Sequence, residues 1–191
     1  MRSFRTLTLF LALGAATVMA APPPSWQRIE PTATVIGEDG KPHAARCSGF
    51  PGTDPRFSFW VRKGSSRNTA VYFEGGGACW DNTTCSLPIA GLPANVPQFF
   101  LPQVPPNTDP ASMDGMFRSN DAANPVRDWN IVYIPYCTGD IHVGSATKVY
   151  TSIANPALGL PAGLPLAIEH RGFDNFMVVL DWMKRNLRQP H

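Results

Sequence analysis

The stretch "VYFEGGGACWD", residues 71–81, sets Glu74, three glycines, Cys79, Trp80 and Asp81 directly behind an apolar run. Glycine after a buried strand permits positive φ and lets the backbone approach a ligand, because no Cβ stands in the way. Successive amides in such a turn converge into a concave anion site, suited to a phosphate or to the oxyanion that develops in acyl transfer. A phosphate loop needs GxxxxGK[ST], and a dinucleotide site needs GxGxxG opening a helix; this stretch has neither. The HGGG-like loop of an α/β-hydrolase fits better, and a turn selected only for its shape is the competing reading.

Asp140 and His142 in "TGDIHVGS" invite an acid/base reading. Two residues apart on a loop, they need not touch, and a general base requires hydrogen-bond reach to the reacting group. A structural or substrate-contacting role is the simpler expectation for both. Ser145 closes the same stretch, yet Val143 stands where a nucleophile elbow needs its first glycine, and no G-x-S-x-G occurs anywhere in the chain. Ser145 is therefore a poor nucleophile candidate.

Four cysteines, Cys47, Cys79, Cys85 and Cys137, have no CxxC spacing and no histidine close in sequence, so metal ligation is not expected. Cys79 and Cys85 lie near enough for a local bridge across "WDNTT"; the pairing itself stays open on spacing alone. An even count suits disulfides in an exported chain. Export is indicated by residues 1–20, where Arg2 and Arg5 precede an apolar run ending in Val18-Met19-Ala20. This is the layout of a secretory signal peptide, with cleavage expected after Ala20 and a secreted or periplasmic product. Without that segment the formal charge falls from +2 to about zero, and the longest basic cluster, "KRNLR", is no footprint for nucleic acid. No later segment reaches the ~20 apolar residues of a membrane span.

The elements that must position these groups follow from pattern. Residues 21–43 read as a proline-rich leader, in which helix is disfavoured, followed by a first strand over "TATVI" that enters a tight Asp-Gly turn. "RFSFWVRKG" alternates like a strand buried on one face, whereas "TAVYFE" and "WNIVYIPYC" read as strands covered on both faces. Prolines spread through 87–125 mark an ordered excursion with one helical turn near 112–117. Phe173, Phe176, Met177, Leu180, Met183 and Leu187 line one face of a helix that begins with Asp174 and ends near Lys184, Arg185 and Arg188. Strand, loop, strand, helix indicates an α/β domain over 44–191.

The ordered set "VYFEGGGACW", "WNIVYIPYCTGDIHVGS" and "HRGFDNF" resembles the pectin acetylesterase / Notum family of secreted carboxylesterases over roughly residues 44–188. The resemblance implies an α/β-hydrolase-like fold and a Ser/His/Asp esterase acting on acetylated polysaccharide or another acyl ester, with no cofactor. It places Gly76 and Gly77 at the oxyanion hole and makes Gly75 a shaper of the turn. Glu74 it marks as a family feature that anchors the loop. Trp80 becomes a pocket wall or a packed aromatic beside a disulfide, Asp140 and His142 border the site, and His170, Gly172 and Asn175 serve capping and packing at the helix start.

In that family the helix at 172–187 leads to the strand that carries the nucleophile, so the serine, acid and base are expected beyond His191. The domain is then an incomplete α/β-hydrolase-like one. By chain order none of His43, His142, His170 or His191 is the triad base. Three readings follow: the amino-terminal part of a secreted esterase, which is preferred; a non-catalytic glycan-binding protein that keeps the loop; and an esterase using Ser145.

Overall fold

The computed structural model describes residues 25–89 and 95–187. The expected signal peptide, the first leader prolines, residues 90–94, Arg188 and His191 lie outside the described residues. The elements run β1 (Trp26–Ile29), β2 (Val35–Ile36), β3 (Pro42–His43), β4 (Phe59–Arg62), β5 (Thr69–Phe73), α1 (Asn82–Ser86), β6 (Asn130–Ile134), β7 (Ala146–Thr151), β8 (Pro165–His170) and α2 (Gly172–Asn186). The result is a mixed α/β fold with a principal sheet ordered β1-β4-β6-β5 and two hairpins, β2-β3 and β7-β8.

Among the described strands only β5 and β6 run parallel, in a register that sets Phe73 opposite Ile134 at their carboxyl ends. β1 forms inside the proline-rich leader because "WQRI" itself is proline-free, and it pairs antiparallel with β4 from Trp26↔Arg62 to Ile29↔Phe59. β4 is buried on both faces, not one. Phe59 and Val61 join a core with Val132, Ile134 and Val179, while Trp60 faces a second core with Phe117, Ile131 and Tyr133.

β6 is buried throughout, as its apolar run predicts. β5 departs from expectation: it is an edge strand with β6 as its sheet partner, so Tyr72 is 36% and Phe73 42% exposed. In place of one helical turn, the excursion makes two 3-10 turns, Pro110–Ser112 and Gly115–Phe117. The guanidinium of Arg62, 1% exposed, holds the excursion down by donating to the Phe117 and Val126 carbonyls at 3.3 and 3.5 Å.

On α2 the expected stripe holds at Phe176, Met177, Met183 and Leu187 and widens beyond it. Met177, Val178 and Val179 are buried and Trp182 packs on the core, whereas Phe173 and Leu180 are half-buried. Two disulfides, Cys47–Cys137 and Cys79–Cys85, tie the site region together. In the chain-entropy account the longer loop contributes about 4–5 kcal/mol and the shorter about 2 kcal/mol. Among the described residues no helix is long and apolar enough to cross a membrane.

Candidate functional site

Glycine at 76 and 77 is demanded by contact. A Cβ at Gly76 would stand 2.2 Å from Tyr136 Cδ1, and one at Gly77, where φ is +79°, would stand 1.8 Å from the Phe99 carbonyl oxygen. Gly75 meets nothing within 4 Å. The loop leaves β5 at its carboxyl end, where open α/β sheets hold their ligands. It is anchored at both ends: Glu74 N donates to Ile134 O at 2.9 Å, Leu101 N to Gly76 O at 2.8 Å, and Ala78 N to Phe99 O at 2.7 Å. Among the described residues no acceptor takes the amides of Gly75, Gly76 or Gly77. Three successive free N–H groups at a partly exposed turn can receive an anion.

Glu74 anchors the loop from beneath, its carboxylate accepting Tyr136 N at 3.0 Å. The neighbouring Tyr133 phenol is fully buried, with the Glu74 carboxylate as its polar neighbour. Burial first, and the Glu74 carboxylate second, push Tyr133 far above the ordinary tyrosine range. Tyr136, the ring under Gly76, is pushed up to about 12, chiefly by burial.

Asp140 and His142 do not form an acid/base pair. The Asp140 carboxylate accepts Thr138 Oγ1 at 2.6 Å and the backbone amides of His142, Gly144 and Gly172 at 3.2, 3.0 and 2.7 Å. It therefore caps the start of α2 from outside, where Arg171 supplies no side-chain cap. His142 Nε2 reaches the Glu74 carbonyl at 2.9 Å, and its ring lies between Phe73 and Tyr136 with centroids 5.1 and 5.0 Å away. Ile141 and His142 both hold positive φ, 51° and 63°, a costly pair for residues with side chains.

Ser145 donates to Asp174 Oδ1 at 2.8 Å, and His43 Nδ1 bonds the same oxygen at 2.6 Å. The carboxylate sits between serine and histidine, the reverse of the relay that activates a serine, in which histidine takes the hydroxyl proton. Trp80 is 61% exposed and touches Phe99 edge-on, so it stands beside the loop as a free face, not a packed one.

His170 bonds the Thr138 carbonyl and the Tyr150 hydroxyl, both at 3.0 Å. Gly172 leaves room for Asp140, and Asn175 clamps the Arg46 backbone through its N–H and carbonyl, at 2.8 and 3.1 Å. The fold also brings His170 beside Cys79 and Cys85, a neighbour invisible in sequence; the three potential donor atoms lie within 4.8 Å of one another. Both sulfurs are already bonded to each other.

A mixed sheet with a sterically constrained glycine loop at the carboxyl end of β5 makes this an α/β protein. The sequence model of the pectinacetylesterase family matches residues 32–183, and the chain belongs to that family. No curated protein matches the chain.

Proposed function

We propose that this domain supplies the oxyanion side of a secreted carboxylesterase of pectin acetylesterase type, hydrolysing acyl, chiefly acetyl, esters on polysaccharide. Gly76 and Gly77 donate their amides to the tetrahedral oxyanion, and the exposed face of Trp80 lines the sugar side. Asp140 and His142 hold the loops in place without exchanging protons with substrate. The serine, acid and base come from outside the described residues. One observation carries this reading: the free amides of a sterically enforced glycine loop at the carboxyl end of β5. A preformed amide aimed at developing charge is worth about 3–4 kcal/mol in comparable hydrolases.

Two measurements test it. In a 15N-labelled chain titrated with acetate, a carboxylate probe for the oxyanion, the Gly76 and Gly77 amide signals shift together; no shift at either refutes the loop assignment. Assayed on a small acetyl ester, the chain shows no saturable turnover. Turnover abolished by Ser145→Ala would instead make Ser145 the nucleophile.

A further inference from the structure

Between the β2-β3 hairpin and the start of α2, His43 is 2% exposed, and both its ring nitrogens meet carboxylate oxygens. Nδ1 lies 2.6 Å from Asp174 Oδ1 and Nε2 2.9 Å from Asp39 Oδ1. An ionised carboxylate only accepts, so the two bonds together require a proton on each ring nitrogen. Asp174 also takes the Ser145 hydroxyl at 2.8 Å and Arg171 Nη1 at 3.2 Å. Asp39 lies below the usual carboxylate range, through His43 first and the Lys41 amide second. Burial alone would lower His43, but the bonds to Asp39 and Asp174 outweigh it and raise it.

The charged groups around the ring are therefore Asp39 and Lys41 on the hairpin, and Asp174 on α2 backed by Arg171, which Glu169 also holds at 3.0 Å. Phe173 closes the pocket edge-on, 5.5 Å between centroids. Asp174 lies one step from the loop beside the glycines. Phe173 N donates to Gly144 O at 2.9 Å, and Asp140 gathers the Gly144 and Gly172 amides while His142 holds the Glu74 carbonyl.

We propose that His43 stands as an imidazolium that latches the β2-β3 hairpin to α2, and so positions the Asp140–Ser145 loop over the glycine loop, and that the latch opens as the medium turns alkaline. His43 is a positioning residue: it acts through Asp174 and needs no substrate, so the inference stands independently of the esterase reading. The sign follows from its raised position. The latch is fully made below the ordinary histidine value of 6.5 and is lost as pH rises through the folded-state value above it. Once the proton leaves, one carboxylate faces a ring lone pair and the two acids lose the cation between them.

The test uses the full chain with 15N-labelled histidine. At neutral pH the His43 signal, identified by its disappearance in His43→Gln, shows two protonated ring nitrogens, and it keeps them to a pH above the ordinary histidine range. Hydrogen exchange over 140–145 speeds up by about ten-fold in Asp39→Asn at the same pH, the loss of one charge-assisted bond, while exchange in β6 stays unchanged. Asp39 is one-third exposed, so this variant keeps the test usable if His43→Gln does not fold. A neutral His43 ring below pH 6.5, or exchange over 140–145 indifferent to Asp39→Asn, overturns the proposal.

Discussion

His142 Nε2 donates to the Glu74 carbonyl at 2.9 Å, a bond that spans 68 residues of sequence and fixes the last peptide before the three glycines. With the Glu74 carboxylate already on Tyr136 N, that residue is held at two points while Gly75 beyond it stays open. His142→Ala removes the bond but keeps the positive φ, so it should cost about 1–2 kcal/mol. A drop in the urea midpoint with unchanged slope reads this directly. An unchanged midpoint would show that the bond holds nothing.

The three glycines should separate under substitution by alanine. At Gly77 a methyl meets the Phe99 carbonyl and an unfavourable φ, and at Gly76 it meets the Tyr136 ring, so each change costs about 2–4 kcal/mol. Gly75→Ala points into open space and should stay within about 0.5 kcal/mol of the parent. Equal losses at all three, measured by chemical denaturation, would mean that the loop is shaped by something other than these two contacts.

Alkaline pH attacks the floor of the same loop. Tyr133 and Tyr136 are raised above the free value of 10.0, mainly by burial, Tyr136 to about 12. For groups whose folded value is raised, the contribution is complete below pH 10 and disappears as pH climbs through the folded value. Between pH 10 and about 12, tyrosinate absorbance and loss of far-ultraviolet ellipticity should rise together. Smooth titration of every tyrosine near pH 10, with ellipticity intact, contradicts this.

What sequence could and could not convey is visible in single residues. β6 was legible because Ile131–Ile134 is apolar whichever face one looks at, and full burial needs no periodicity. The hairpin β7-β8 was not, because Ala146–Val149 are exposed and its anchors Tyr150, Leu166 and Ile168 pack on Phe50 and Phe100 from distant chain. Exposure of Phe73 depends on β5 lying at the sheet edge, and strand order is a tertiary fact. Likewise the structural role expected for Asp140 had no visible partner in sequence, because the Gly172 amide on its carboxylate lies 32 residues on. The glycine loop and the local Cys79–Cys85 candidate were readable because they are 6 residues or fewer across, whereas the Cys47–Cys137 bridge, 90 residues apart, left the pairing open in sequence.

The edge of β5 carries the last prediction. Among the described residues β6 is its one sheet partner, so the other side of Thr69–Phe73 offers backbone amides and carbonyls beside the exposed Tyr72 and Phe73. Such an edge recruits further strands unless a charge, a proline or a covering element blocks it. The chain should therefore associate in a concentration-dependent way, seen by sedimentation velocity. Phe73→Lys places a gatekeeper charge on this exposed position and should shift the distribution toward monomer with the disulfides intact. The replaced ring also touches Phe176 and His142, at 5.3 and 5.1 Å, so a modest loss of stability, about 1–2 kcal/mol, accompanies the gain in solubility. If the parent chain sediments as a single monomer at every concentration and melts sharply, the β5 edge is covered in solution and this account of it fails.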